Sequence, residues 1–254
     1  MPDNKVIIIT GGASGIGRAT AMLFAQRGWQ VAILDKDQPG GSFVAAEIVC
    51  HGGQAVMITA DVAQEECVRN AIAQALAHFG HIDAAFNNAG ILGPEGSIEG
   101  LEVEHWSLVW NTNVLGTFLV CKYLIPHLKA QRAGVIINNA SIVALSGASR
   151  FPAYSASKGA IISLTKSMAR ALAPYRIRVN CVCPGSIIGT NLLTREGGQS
   201  LTKQEMLALL AKIPLGRIGY PADVASAVYF LTSDDAAHIT GAILEVDGGE
   251  LWGR

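Results

Sequence analysis

The chain has 254 residues, of which 50% are hydrophobic and 15% are charged, and its formal net charge is -1 at neutral pH. This length fits one α/β domain over residues 1–254 and is short for two independent domains. The apolar content excludes disorder, and the near-zero charge lacks the basic footprint of a nucleic-acid-binding module. No apolar run approaches the ~20 residues that a membrane span needs. We therefore expect neither a nucleic-acid partner nor a membrane partner.

The cysteines and histidines show no metal-binding or disulfide pattern. The five cysteines are odd in number and include no C-x-x-C pair, and the six histidines form no H-E-x-x-H motif. The N-terminus runs directly into an apolar segment and shows no secretory signal. We expect no bound metal and a cytoplasmic location.

Short β-branched runs alternate with amphipathic stretches along most of the chain. The predicted strands are 6–9, 30–34, 54–59, 82–86, 135–139, 177–182 and 242–246. The predicted helices lie near 15–28, 41–51, 65–79, 103–130, 152–173 and 221–231. Continuous apolar strands separated by helices indicate a parallel sheet that is covered on both faces. With right-handed crossovers, this pattern predicts a doubly wound, Rossmann-type α/β fold with seven parallel strands.

Residues 186–216 form a long excursion between the sixth and seventh predicted strands, without a strand of their own. The excursion includes a polar stretch at 194–200 and follows the C-terminal end of a strand, where ligands bind in such sheets. Long excursions of this kind are typically lids or binding loops. A flexible surface loop remains an alternative interpretation.

A glycine-rich segment, 10–17, joins the first strand to the first helix. Glycines allow a tight turn and a close approach to a pyrophosphate, whose charge is favoured at a helix N-terminus. Strand, loop and helix in this order predict a dinucleotide-binding site. The candidate contacts in the loop are Gly11, Ser14, Gly15, Ile16 and Gly17.

The second strand ends at Asp35, 18 residues after Gly17. A carboxylate there can accept hydrogen bonds from both ribose hydroxyls and would repel a 2′-phosphate. Lys36 follows immediately and could soften this discrimination. We therefore predict NAD rather than NADP as the cofactor.

Tyr154 and Lys158 are separated by four residues, which places them on one face of a helix. The ordinary pKa of tyrosine, near ~10, is too high for general-base catalysis at neutral pH. A nearby ammonium stabilises the phenolate, and a helix N-terminus at Pro152 acts in the same direction. We predict that Lys158 lowers the pKa of Tyr154, which then carries a proton. Ser141, just beyond the fifth strand, would place its hydroxyl on the cofactor side.

These motifs together resemble the short-chain dehydrogenase/reductase family, in its branch of roughly 250-residue oxidoreductases, over nearly the whole chain. The matching motifs, in chain order, are the 10–17 loop, Asp61-Val62, 87–90 (Asn-Asn-Ala-Gly), Asn113, Ser141, the segment from Tyr154 to Lys158, Pro184-Gly185 and 247–249 (Asp-Gly-Gly).

The resemblance implies roles for four catalytic side chains. Tyr154 would be the acid/base, and Ser141 would hydrogen-bond the substrate oxygen. Lys158 would lower the pKa of Tyr154 and bind the nicotinamide ribose. Asn113, at a local break in the 103–130 helix, would hold a water that connects Lys158 to a proton relay.

The resemblance also implies cofactor contacts. Asp61 and Val62 would flank the adenine, and Asn87, Ala89 and Gly90 would line the cofactor near the fourth strand. After Pro184 and Gly185, the family usually has a threonine five residues beyond the proline. Here Thr190 comes sixth, so the loop must absorb one residue, whereas the backbone of Ile187 would still meet the carboxamide.

The activity implied is hydride transfer between NAD(H) and a secondary alcohol or ketone. The resemblance also implies a homotetramer, paired through the 103–130 and 152–173 helices and through residues 239–247. Two alternatives remain: an NADP-dependent 3-oxoacyl carrier-protein reductase of the same fold, and a non-catalytic dinucleotide sensor. Asp35 argues against the former, and the four catalytic residues argue against the latter.

Overall fold

The computed structural model of the protein describes residues 4–190 and 202–253. Its strands are β1 Val6–Thr10, β2 Gln30–Asp35, β3 Gln54–Thr59, β4 Ala84–Asn87, β5 Gly134–Asn139, β6 Ile177–Pro184 and β7 Ile243–Val246. They form one sheet in the order β3-β2-β1-β4-β5-β6-β7, and all neighbouring pairs are parallel. The strand order reverses between β1 and β4, so the predicted doubly wound fold is confirmed.

The helices occupy the connections between the strands. They are α1 Gly15–Gln26, α2 Gln38–Cys50, α3 Glu65–Phe79, α4 Val103–Trp110, α5 Gly116–Gln131, α6 Val143–Ser146, α7 Pro152–Leu172, α8 Lys203–Leu210 and α9 Pro221–Thr232. A single π-helical turn, Asn111–Leu115, joins α4 to α5. This turn is the break that the sequence analysis expected in the 103–130 helix.

Several element boundaries differ from the predictions for local reasons. α2 begins at Gln38 rather than near residue 41, because the Asp37 carboxylate caps it by accepting a hydrogen bond from the Gly40 amide. β4 begins two residues later than predicted, at Ala84. β6 continues through Pro184, whose missing amide costs little at the end of a strand.

The core lies on both faces of the sheet. Ile8 packs on the face covered by α3, α5 and α7, whereas Ile7 and Ile9 pack on the face covered by α1, α2 and α9. All three side chains are completely buried. Burial on both faces explains why the strand was predicted as a continuous apolar run rather than an alternating one.

The helical stretch Val103–Gln131 bears on the expectation that no apolar run is long enough to span a membrane. Its 29 residues are long and apolar enough to cross a membrane by length and composition, although we expected no such run. Core helices share these properties. In this fold, Leu119, Leu124 and Leu128 of the stretch pack in the core against the sheet and α3.

The described parts of the excursion, 186–190 and 202–216, contain α8 and no named strand. Ile187 forms an isolated parallel bridge with Gly219. The sequence analysis missed α8, although Thr202 and Glu205 form a capping box, which is readable as a T-x-x-E pattern. The predicted polar stretch at 194–200 lies outside the described residues.

Candidate active site

A cleft of ≈ 560 Å³ opens at the carboxyl ends of the strands around the point where the strand order reverses. Its volume is in the range of small-molecule and cofactor sites. Many of the predicted site residues line it: Gly11, Ser14, Gly15, Ile16, Asp35, Asp61, Val62, Ala89, Gly90, Tyr154, Lys158 and Thr190. The remaining predicted residues, Gly17, Asn87, Asn113, Ser141, Pro184, Gly185 and Ile187, are not among those that line the cleft.

The glycine-rich loop is shaped by contacts that leave no room for side chains. Gly11 has a φ of +66°, and a Cβ on it would lie 3.0 Å from the Cα of Ala89. A Cβ on Gly17 would overlap the carbonyl oxygen of Gly11. Gly17 therefore acts behind the cleft wall, where it lets α1 approach the loop, and is not a direct lining residue.

The Asp35 carboxylate is oriented by the backbone at the end of β2. Its Oδ2 accepts a hydrogen bond from the Ala13 amide, and its Oδ1 accepts one from the Asp37 amide, both at 3.0 Å. Asp61 is held similarly, because its Oδ1 accepts from the Ala63 amide at 2.9 Å. Lys36 also lines the cleft beside Asp35. One end of the cleft therefore has two anchored carboxylates and one amine.

The structure turns the Asn87 side chain away from the cleft, whereas Asn87 was predicted to line the cofactor. Its side chain points into the core, where Nδ2 donates to Oδ1 of Asn138 at 2.9 Å and contacts Sγ of Cys121 at 3.3 Å. The next residue, Asn88, lines the cleft instead, and its Nδ2 donates to the carbonyls of Thr10 and Gly11. Successive residues of an extended strand face opposite sides, and the strand bounds alone did not show which asparagine faces the cleft.

Tyr154 lies in the first turn of α7, which begins at Pro152 as predicted. Tyr154 is 5% exposed, and the Ser141 side chain lies near enough to its phenol to act on the phenol's pKa. Ser141 follows β5, and its Oγ also lies 3.5 Å from the carbonyl oxygen of Pro184.

Lys158 lies one helical turn beyond Tyr154, and its Nζ is 5.6 Å from the centre of the phenol ring. The ammonium donates to the carbonyl oxygen of Asn139 at 2.7 Å. Burial lowers the pKa of Lys158 to about 8. The two side chains share one helix face, as the spacing predicted.

The predicted lowering of the Tyr154 pKa is not seen. Burial raises the pKa of this phenol to about 12, and the hydrogen bond from Ser141 offsets only part of that rise. The Lys158 ammonium is bonded to the Asn139 carbonyl. The cost of burying a phenolate outweighs the attraction of the ammonium, and burial cannot be read from the four-residue spacing.

Asn113 lies in the π-helical turn and is 1% exposed. Its Oδ1 accepts from the Ile91 amide at 2.8 Å, and its Nδ2 donates to the Ile91 carbonyl and to Oγ of Ser157, both at 3.0 Å. A Cβ on Gly90 would lie 3.1 Å from Oδ1 of Asn113 and 3.3 Å from Nζ of Lys158. Asn113 therefore ties the loop after β4 to α7 and lies close to the lysine.

The segment after β6 absorbs its additional residue within a turn. Gly189 has a φ of +71°, and Oγ1 of Thr190 donates to the Ile187 carbonyl at 2.8 Å. Thr190 therefore still reaches the cleft. Pro184, Gly185 and Ile187 lie beneath it, where Ile187 is 4% exposed.

Asn139 was missed by the sequence analysis. It lines the cleft, and its Nδ2 donates to Oδ1 of Asn88 at 2.9 Å. Its own Oδ1 is buried without a protein partner. An unsatisfied buried acceptor is costly, and Oδ1 of Asn87 in the core is in the same state. The pattern of two adjacent asparagines at a strand end was the available signal.

The described residues hold no cluster of three or more His, Cys, Asp or Glu side chains that could bind a metal ion. The site instead combines a glycine-rich turn at a helix N-terminus, two anchored carboxylates and a buried Tyr-Ser-Lys group. These groups fit a dinucleotide laid across the switch point of the sheet. Fold and site together define the class of dinucleotide-dependent oxidoreductases.

Comparison with known proteins narrows this class. The sequence profile of a family described as enoyl-(acyl carrier protein) reductase matches residues 11–250. Cyclohexanol dehydrogenase of Acinetobacter sp. is 40% identical over 97% of this chain and 94% of its own. A 3-oxoacyl-[acyl-carrier-protein] reductase of Thermotoga maritima is 35% identical over 97% of this chain and 98% of its own.

A solved structure shows the same architecture. The crystal structure of levodione reductase matches with a TM-score of 0.94 and 29% identity, over 99% of both chains. The chain therefore belongs to the short-chain dehydrogenase/reductase family of oxidoreductases, which use a nicotinamide dinucleotide cofactor.

Proposed function

We propose that the protein is an NAD-dependent oxidoreductase that transfers a hydride between NAD(H) and a secondary alcohol or ketone. The observation that carries the proposal is the hydroxyl pair of Tyr154 and Ser141, buried beside a cleft that has the Asp35 carboxylate on its wall. The pair can donate a proton to the substrate oxygen or accept one from it. The carboxylate can accept hydrogen bonds from a ribose that carries no 2′-phosphate.

The nicotinamide dinucleotide, when bound, supplies the hydride acceptor or donor and, when oxidised, a positive charge. With a pKa of about 12, the Tyr154 phenol holds its proton at neutral pH and is ready to donate it to a ketone oxygen. In alcohol oxidation, Tyr154 must first release its own proton to solvent, and the phenolate then accepts the hydroxyl proton of the alcohol. Positive charge near the ring favours the phenolate. Ser141 donates to the same substrate oxygen, and Lys158 binds the ribose.

Asp35 favours NAD because its anchored carboxylate would repel a 2′-phosphate. Lys36 opposes this preference only in part, since its flexible amine is exposed. We test this with Asp35→Asn and a matched control, Asp37→Asn. Both changes remove one negative charge from the same turn, and Asp37 does not line the cleft.

The experiment measures kcat/KM for NAD⁺ and NADP⁺ with cyclohexanol as the alcohol, by NADH or NADPH absorbance. We expect the wild type and Asp37→Asn to prefer NAD⁺. In Asp35→Asn, the ratio of kcat/KM for NAD⁺ to kcat/KM for NADP⁺ should fall at least tenfold. A wild-type preference for NADP⁺ would contradict the cofactor assignment. Cyclohexanol is the probe because a 40% identical relative is named for it.

A second candidate is an NADP-dependent reductase of 3-oxoacyl groups on a carrier protein. The 35% identical relative from Thermotoga maritima favours it, and the description of the matching family also names an acyl carrier protein. Reduction of an acetoacetyl thioester with NADPH, faster than any NADH-linked ketone reduction, would support this candidate. A non-catalytic sensor would bind the dinucleotide and would turn over neither alcohols or ketones nor 3-oxoacyl thioesters.

We further propose a homotetramer. The small residues Ala156, Gly159, Ala160, Ser163 and Ser167 of α7 are not buried in the single chain. A Cβ on Gly159 would meet no atom within 4 Å. The neighbouring helical stretch exposes Leu108 and Phe118. Pairing of these helices between subunits would cover both surfaces.

A further inference from the structure

The last residues of the chain contact both ends of the substrate-side excursion. The Gly248 carbonyl accepts a hydrogen bond from the Leu215 amide at 3.1 Å, at the far end of the excursion. At the near end, the Glu250 carboxylate holds Ser186 through two hydrogen bonds. Its Oε2 accepts from the Ser186 amide at 2.7 Å, and its Oε1 accepts from the Ser186 hydroxyl at 2.8 Å.

The turn that presents Glu250 is itself fixed. Oδ1 of Asp247 accepts from the Gly249 amide at 2.9 Å, and its Oδ2 accepts from the Leu251 amide at 2.8 Å. A Cβ on Gly185 would come within 2.7 Å of both the Cβ of Asp247 and Oε2 of Glu250. The missing side chain at Gly185 therefore lets the carboxylate reach Ser186.

Ser186 is separated by a few residues from the wall of the cleft. Its carbonyl accepts from the Gly219 amide at 3.0 Å, and the next residue, Ile187, carries the carbonyl that holds Thr190. On the other side, the Pro184 carbonyl lies within reach of the Ser141 hydroxyl. A shift of Ser186 would therefore move both Thr190 and the surroundings of Ser141.

We propose that Glu250 is a positioning residue that fixes the segment 185–190 against the Tyr154–Ser141 pair. Through this segment it sets how well the alcohol and the nicotinamide are aligned. Glu250 touches neither Tyr154 nor Lys158 and takes no part in proton transfer. The inference rests on the proposed function, because alignment is expressed only in that reaction.

The test compares Glu250→Leu, Glu250→Gln and a control, Glu245→Gln, using cyclohexanol and NAD⁺. Glu245 is a carboxylate of the same C-terminal region, and its Oε2 accepts from Nε1 of Trp252 rather than from the excursion. Loss of alignment by about 1 Å can cost ~10²-fold in rate. We expect Glu250→Leu to lower kcat/KM about 10- to 100-fold, mostly through kcat, with the shape of the pH profile of kcat unchanged.

Glu250→Gln should restore most of kcat/KM, because its amide oxygen still accepts from the Ser186 amide. Glu245→Gln should stay within about twofold of the wild type. Amide hydrogen exchange gives a readout that is independent of turnover: Glu250→Leu should speed exchange in a peptide covering 185–190 and leave β1 and β5 protected.

The outcomes separate the two proposals. If the wild type oxidises cyclohexanol and Glu250→Leu keeps its kcat/KM, the positioning role is wrong and the proposed function stands. The positioning role is also wrong if Glu250→Leu exchanges faster throughout the sheet, because the residue then only stabilises the fold. If the wild type turns over no secondary alcohol or ketone with either dinucleotide, the proposed function is wrong, and the positioning role with it.

Discussion

Burial governs the protonation of the two ionisable side chains at the centre of the site. The pKa of Tyr154 is raised to about 12 and that of Lys158 is lowered to about 8, so both groups are shifted toward their neutral forms. The tyrosine is therefore a proton donor in its resting state. The lysine is close to its midpoint at mildly alkaline pH.

The lowered pKa of Lys158 predicts that the stability of the folded protein depends on pH. The pKa of this lysine is about 8 when folded and near 10.5 when unfolded, so the unfolded state binds more protons between these values and stability rises with pH there. Lys158→Met should lack this rise. Relative to the variant, the wild type should gain about 2 kcal/mol in the free energy of unfolding from pH 7 to pH 10, measured in urea.

A constant difference between the two proteins is expected from the lost hydrogen bond to the Asn139 carbonyl and does not bear on the prediction. Only the change with pH does. If the free energies of unfolding of the wild type and Lys158→Met change in parallel over this pH range, burial does not lower the pKa of Lys158. Tyr154 opposes the rise only above pH 10, where the unfolded phenol ionises first.

At this scale the sequence predicted which residue types meet but not how they are oriented. Helical spacing correctly placed Tyr154 and Lys158 on one face. It could not show that the ammonium bonds a backbone carbonyl, because that carbonyl belongs to a residue 19 positions away. For the same reason Asn88 and Asn139 were overlooked, since their partners come from other strands.

At the scale of the elements, the helix ends and irregular turns position the site. The π-helical turn at Asn111–Leu115 brings Asn113 against Ile91, and the first turn of α7 brings Tyr154 against Ser141. Such single-turn π segments frequently occur at functional sites. Apolar periodicity predicted the long helix, and only the resemblance to a family indicated its break.

Arg178 joins three elements behind the site. Its guanidinium donates to four carbonyls at the end of α9 and before β7: Leu231 at 2.6 Å, Thr232 and Ser233 at 3.1 Å, and Ile239 at 3.3 Å. Arg178→Met leaves these carbonyls without a charged donor and should cost about 2–3 kcal/mol in the free energy of unfolding.

Arg178→Lys should recover part of that loss, because an ammonium keeps the charge but not the planar fork. The matched control is Arg170→Met, which removes an exposed arginine from the last turn of α7. Urea unfolding of the four proteins decides the matter. Equal stabilities for Arg178→Met and Arg170→Met would mean that the carbonyls find other donors.

On the scale of the molecule, the order of the strands determines where the cleft forms. Alternating strands and helices indicated a parallel sheet, and the right-handed crossover rule restricted the topology. Periodicity did not show that β4 rather than β3 lies beside β1, because the apolar pattern of a strand does not say which strand it pairs with. The glycine-rich loop located the cleft correctly because its pattern can be read within one short segment, although Asn88 and Asp35 from other strands also hold the loop.

The proposed assembly predicts a mass four times that of the chain in solution. Ser163→Arg places a charge on the exposed α7 surface and should reduce the mass measured by light scattering at micromolar concentration. Ser226→Arg, a matched change at an exposed serine of α9, should leave it unchanged. A wild-type protein with the mass of one chain would contradict the tetramer.

In the proposed reaction the Tyr154 hydroxyl carries the proton that accompanies hydride transfer, so removing this hydroxyl is the decisive experiment. Tyr154→Phe keeps the ring and its packing and removes only the hydroxyl. The control, Tyr175→Phe, makes the same change beyond the opposite end of α7. Turnover of cyclohexanol and the affinity for NAD⁺, measured separately, give the two readouts.

We predict that Tyr154→Phe lowers kcat by at least ~10²–10⁴-fold, the usual contribution of acid–base catalysis, and changes the NAD⁺ affinity by only a few-fold. Tyr175→Phe should behave as the wild type. Near-wild-type turnover by Tyr154→Phe would contradict the account.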